Sequence, residues 1–116
     1  MDLETFRSYC LGKKMTTEDL PFDENTLVFK VAGKMFALTD INLFDSINLK
    51  CDPERAIELR EEYAQVKPGY HMNKKHWNTI DMDGQLQDVL LKEWIDHSYD
   101  EVVKGLPLKV RRATFR

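Results

Sequence analysis

"TLVFKVAGKMFALTD", residues 26–40, decides the fold. Two runs rich in strand-forming residues flank Ala32-Gly33-Lys34, the pattern of a β-hairpin, with strands expected near 27–32 and 35–39. A hairpin makes its two strands antiparallel neighbours, so a sheet seeded here is mainly antiparallel. "SINLKC" follows, and alternates Ile47, Leu49 and Cys51 with Asn48 and Lys50, which predicts a half-buried strand over 46–51. "HWNTIDM" predicts another over 76–82. In that register Asn78, Ile80 and Met82 share one face, and Trp77, Thr79 and Asp81 the other.

Helical patterns surround these strands. Leu3, Phe6 and Cys10 recur on one helical face over 2–11, with Asp2 as N-cap and Gly12 as the stop. Asp52-Pro53 is a cap followed by proline at the first helical position; it opens a helix predicted to run to about Gln65, with Ala56, Leu59 and Tyr63 facing inward. Pro68-Gly69 breaks it. Asp83-Gly84 makes a turn before a long helix over about 88–105, whose stripe of Leu91, Ile95, Tyr99, Val102 and Leu106 keeps a 3.6-residue period. Pro107 interrupts it, and "LKVRRATFR" adds one more helical turn. "TTEDLPFDEN" reads as a polar connector whose Glu18, Asp19, Asp23 and Glu24 form a solvated negative cluster. The expected fold class is α+β: one domain over 1–116, a mainly antiparallel sheet with helices packed on one face.

Bulk composition narrows the function. The chain has 116 residues, 42% hydrophobic and 32% charged, enough to bury one core and against wholesale disorder. Its formal net charge of −3 gives no overall basic field, so nucleic-acid binding would need a local patch. Cys10 and Cys51 form no CxxC pair and read as reduced, half-buried thiols. "MDLETFRSYC" is acidic and amphipathic, unlike a leader peptide, and no apolar run approaches the roughly 20 residues of a membrane span. The expectation is a cytoplasmic protein with no membrane contact.

One segment stands out chemically. "KPGYHMNKKHWNTI", residues 67–80, gathers Lys67, Lys74 and Lys75 around Tyr70, His71, His76 and Trp77, with no acid among them. Cations with aromatic neighbours suit phosphate contacts and base stacking. They equally suit a solvated loop whose Trp77 is packed under a connecting segment. A second basic collection lies in the tail at Lys104, Lys109, Arg111, Arg112 and Arg116. His71 and His76 are five apart with no ligand-spaced partner, and His97 sits on a helix, so no metal site is expected. No nucleophile is paired with a base, so neither enzymatic activity nor a cofactor is expected.

"PGYHMNKKHWNTI", "DGQL" and "HSYDEVVKGLP" together resemble the signature of the MmcQ/YjbR family of small bacterial proteins. The likeness extends upstream through Pro21-Phe22, "VFKVAGKMFAL" and "INLKC" to the helix after Asp52-Pro53. Two departures are Gln87, where the family often has proline, and a short connector over 39–46. The resemblance implies a CyaY-like (frataxin-like) α+β fold and a protein commonly predicted to bind DNA, and it brings no catalytic residue. The candidate surface carried by the matching segment is Tyr70, His71, Asn73, Lys74, His76 and Trp77, with Lys75 between them; Lys109, Arg111 and Arg112 form a secondary basic patch. The partner is expected to be DNA. The alternative is a protein-interaction or small-ligand module that presents the open face of its sheet. A steep fall of affinity with salt would mark the first and not the second.

Overall fold

The computed structural model describes residues 1–115, and the Arg116 of the basic tail lies outside them. In chain order the elements are α1 (Leu3–Leu11), β1 (Thr16–Asp19), β2 (Thr26–Val31), β3 (Lys34–Asp40), β4 (Ser46–Lys50), α2 (Pro53–Glu62), β5 (Val66–Pro68), β6 (Trp77–Asp81), α3 (Asp88–Lys104) and α4 (Leu108–Thr114). The strands form one sheet in the order β1-β2-β3-β4-β6-β5, and every neighbouring pair is antiparallel. This is the α+β class expected.

The hairpin turn is tighter than the sequence suggests. Only Ala32 and Gly33 lie between the strands, at φ +48° and +83°. Two successive positive φ values give the turn the right-handed twist that the flanking strands need. Register then sorts the side chains. Phe29, Ala37, Leu49 and Asn78 lie in one cross-strand row, and Leu27, Thr39, Ile47, Ile80 and Val66 in another. The apolar members of both rows belong to the principal core, together with Phe6 and Cys10 of α1 and Leu91, Trp94 and Ile95 of α3. The alternate row, Val28, Leu38, Asn48 and Thr79, faces the other way. There Val28, Leu38 and Trp77 make a second, smaller cluster with Met35 and Met72. The faces of "HWNTIDM" are therefore as its alternation predicts.

Polar ties anchor the helices. Asp2 accepts from Thr5 N–H at the start of α1, and Asp52 accepts from Glu54 and Arg55 N–H at the start of α2. The Ser98 hydroxyl of α3 donates to the Phe36 carbonyl (2.5 Å) and accepts from Lys50 N–H (2.8 Å), joining the helix to β3 and β4. Such buried bonds must be satisfied to be tolerated, and these are.

Several expectations change. Thr16–Asp19 is an edge strand rather than connector; its acids are matched by an Arg7–Glu18 pair and a Lys30–Asp19 pair (3.7 Å), which offset the poor strand propensity of Glu and Asp. The α2 helix stops at Glu62, and Val66–Pro68 forms the opposite edge strand, where a proline without an N–H is tolerated. The tail holds the seven-residue α4, more than one turn. Leu59 is half-buried, and both cysteines are fully buried free thiols rather than half-buried ones.

Candidate functional site

Trp77 begins β6 on the face away from the helices and is only 8% exposed. Residues 69–76 fold over it as a lid. Gly69 N–H donates to the Trp77 carbonyl (2.9 Å) and Tyr70 N–H to Thr79 Oγ1 (2.9 Å). Thr79 in turn bonds to Asn48 on the adjacent strand. The Asn73 side chain accepts from Lys75 N–H (2.9 Å) and His76 N–H (3.3 Å), a local turn of the kind asparagine favours. Gly69 is required by contact: a Cβ there would lie 2.8 Å from Trp77 Cβ and 2.9 Å from its carbonyl oxygen. His71 holds φ +58°, a left-handed conformation that non-glycine residues rarely adopt.

Arg60 of α2 clamps this arrangement from the helical side. Its guanidinium donates to Asn78 Oδ1 (2.7 Å), to the Trp77 carbonyl (3.2 Å) and to the Lys74 carbonyl. Asn78 is itself buried; the charge-assisted bond satisfies its Oδ1, while its Nδ2 donates to the Ala56 carbonyl (3.5 Å). No pattern around Arg60 in the sequence singles it out.

The candidate residues divide by what they touch. Tyr70, His71, Asn73, Lys74 and Lys75 are exposed, and His76 is half-buried. Tyr70 is 69% exposed, with its ring centroid 4.0 Å from that of His71. Lys74 Nζ donates to the Gly69 carbonyl (2.9 Å) and Lys67 pairs with Asp81 (2.6 Å). Those two ammonium groups therefore have partners within the fold. Trp77 supports the loop from below instead of presenting its ring. The secondary patch lies on a different element: Lys109 and Arg112 are exposed on α4, and Arg111 is half-buried.

The lid and the "DLPFDEN" connector wall a cleft of about 730 Å³ over the open sheet face. Phe22, 65% exposed, and Asp23 contribute from the connector, and Tyr70, His71, Met72 and Asn73 from the lid. Strand residues Thr26, Met35, Leu38, Asp40, Ser46 and Asn48 also line it, and neither Lys109, Arg111 nor Arg112 does. An exposed phenylalanine within a polar connector was the signal available in the sequence for Phe22. The strand residues become lining only once the register is known.

Reactive chemistry is sparse elsewhere. Burial pushes the Cys10 thiol up to about 12 and the Cys51 thiol to about 11, so both are protonated near neutrality and poor nucleophiles. Among the described residues no three His, Cys, Asp or Glu side chains stand close enough to hold a metal ion. No helix of the described residues is long and apolar enough to cross a membrane.

The family model YjbR matches residues 11–101. The uncharacterised protein YjbR of Escherichia coli K12 is 31% identical over 113 residues, covering 97% of this chain and 96% of that one. YbdF of Escherichia coli O157:H7, also uncharacterised, is 40% identical over 87 residues, covering 74% of this chain and 71% of its own. Among solved structures, Deinococcus radiodurans DR2400, of the family-model domain DUF419, superposes with a TM-score of 0.90 at 42% identity, covering 96% of this chain and 86% of that one. A Pseudomonas syringae protein superposes at 0.74 with 29% identity over 87% of this chain and 98% of its own. Sequence match, coverage and superposition agree with the signature residues, and the chain belongs to the MmcQ/YjbR family.

Proposed function

We propose that this protein is a non-enzymatic binding module that takes a small ligand in the cleft on the open face of its sheet. The observation that carries the reading is a concave site whose volume, about 730 Å³, falls in the range of small-molecule pockets and whose walls expose Phe22 and Tyr70. Both rings open onto this one cleft, where a single ligand can cover them together. The lid is also built at a cost: His71 is held in a left-handed conformation, the sort of strain that clusters at binding sites. A thermal-shift panel of water-soluble metabolites tests the proposal. Compounds that raise the Tm of the wild type should lose their effect on a Phe22→Ala, Tyr70→Ala variant, since ligand at 100 times Kd stabilises by about 2.7 kcal/mol. Compounds that stabilise both proteins equally would place binding elsewhere.

A second reading, DNA binding through the same loop, is favoured by Tyr70, His71 and Lys75 standing exposed together on one segment. Against it stand the engagement of Lys67 and Lys74 within the fold, the burial of Trp77 and the net charge of −3. Anisotropy titrations of a labelled 20-base-pair duplex at low salt decide it. Saturable binding whose affinity falls steeply with salt would establish this second reading, and no binding would end it.

A further inference from the structure

The charge of the cleft says more than its shape. Asp23 and Asp40 line it, while no lysine or arginine among the described residues does. Both carboxylates are held in place by their own turns. Asp23 Oδ1 accepts from Asn25 N–H (2.8 Å) and Thr26 N–H (2.7 Å), and Asp40 Oδ1 from Asn42 N–H (2.8 Å) and Leu43 N–H (3.0 Å). The hydrogen bonds keep the Asp23 carboxyl below the usual carboxylate range, so it stays ionised at neutral pH. The exposed rings of Phe22 and Tyr70 add negative faces of their own, which attract cations. Beneath them Met35, Leu38 and Met72 supply an apolar floor continuous with the cluster around Trp77.

We infer that the cleft selects a small ligand joining a flat apolar body to an ammonium or guanidinium group. The inference rests on the binding-module reading and names its ligand class. A cationic head satisfies the two carboxylates and the aromatic faces at once, and a flat body covers the methionine and leucine floor. An anionic head in the same place meets two fixed like charges. The loop lysines do not relieve that repulsion, because neither Lys67, Lys74 nor Lys75 lines the cleft.

Two probes with the same ring and opposite charge, tryptamine and indole-3-acetate, make the test. Amide chemical shifts are followed during titration of each at pH 7.5 and low salt. Tryptamine should move the resonances of Asp23, Thr26, Asp40, Asn48 and Tyr70–Asn73, and bind at least about tenfold more tightly than indole-3-acetate. Asp40→Asn keeps the Oδ1 acceptor of the 40–43 turn and removes the charge, so it should fold normally and shrink the tryptamine preference several-fold. Tyr70→Ala should weaken both probes. Equal affinity for the two, a preference for the anion, or no shifts at the cleft with either overturns the inference. Equal binding at the cleft would leave the binding-module reading standing, whereas a thermal-shift panel insensitive to Phe22 and Tyr70 would remove that reading itself.

Discussion

Replacing Gly69 with alanine should detach the lid from the sheet, and its cost can be worked from contacts. The added Cβ would sit 2.8 Å from Trp77 Cβ, 2.9 Å from the Trp77 carbonyl oxygen and 3.0 Å from Met72 Cβ. Carbon atoms pack best at roughly 3.5–4.0 Å, so the segment must retreat by about 1 Å. Two of the three obstacles belong to the backbone or Cβ of a buried strand residue, which cannot swing aside. Retreat lengthens the Gly69 N–H bond to the Trp77 carbonyl and the Tyr70 N–H bond to Thr79, now both 2.9 Å. Overpacking costs about 1–3 kcal/mol and the two weakened hydrogen bonds together about 1 kcal/mol, so the variant should lose roughly 2–4 kcal/mol. Urea titration measures this, with Gly84→Ala as the control: Gly84 has φ +84° but open space around it, so alanine there should cost only about 1–2 kcal/mol of backbone strain. Hydrogen exchange should show the Gly69 and Tyr70 amides losing protection in the variant. A loss below about 0.5 kcal/mol with protection intact would refute the reasoning, because it would mean the lid does not rest on Trp77 as described.

Further outcomes follow from other parts of the molecule. Phe36 and Ile95 are fully buried on facing elements, and truncating either to alanine should cost about 2–5 kcal/mol in the same titration. His97 Nε2 accepts from Asp52 N–H (3.1 Å), and burial, aided by Arg55 and only partly opposed by Glu101 and Asp52, lowers its pKa from 6.5. The unfolded chain therefore takes up a proton before the native one does. Stability should be level above about pH 6.5 and fall as the pH drops below it, and His97→Gln should flatten that fall in urea midpoints measured from pH 7.5 to 5. If the duplex DNA titration shows binding, Lys75→Ala should lower the salt slope by roughly one unit without changing the urea midpoint. An unchanged slope would remove Lys75 from the phosphate contacts.

Much of this architecture follows from local sequence. The hairpin around Gly33, the proline-opened α2 and the Leu91-to-Leu106 stripe are each specified within a few residues, because side-chain period and turn chemistry act over that range. Trp77 shows where local reasoning stops. Alternation placed it on the face away from the helices, but whether it lay open or covered depended on a loop that approaches it only after folding. Pairing of Thr16–Asp19 with β2 and of Val66–Pro68 with β6 was illegible for the same reason. Glu18 and Asp19 disfavour a strand and offset the two threonines before them, and a three-residue segment ending in proline is too short to declare itself, so a neighbouring strand decides their conformation. The cleft is the extreme case. Phe22 and Asp23, Leu38 and Asp40, and Tyr70 and His71 come from three separate segments, and the antiparallel register with the lid over Trp77 brings them to one face. The sequence by itself determined the hairpin, the strands that carry Ile47 and Ile80, and the cores of the helices, with the apolar faces their periodicity buries. Tertiary structure alone decided which side chains share the open face, since cross-strand pairing joins residues whose separation along the chain carries no signal.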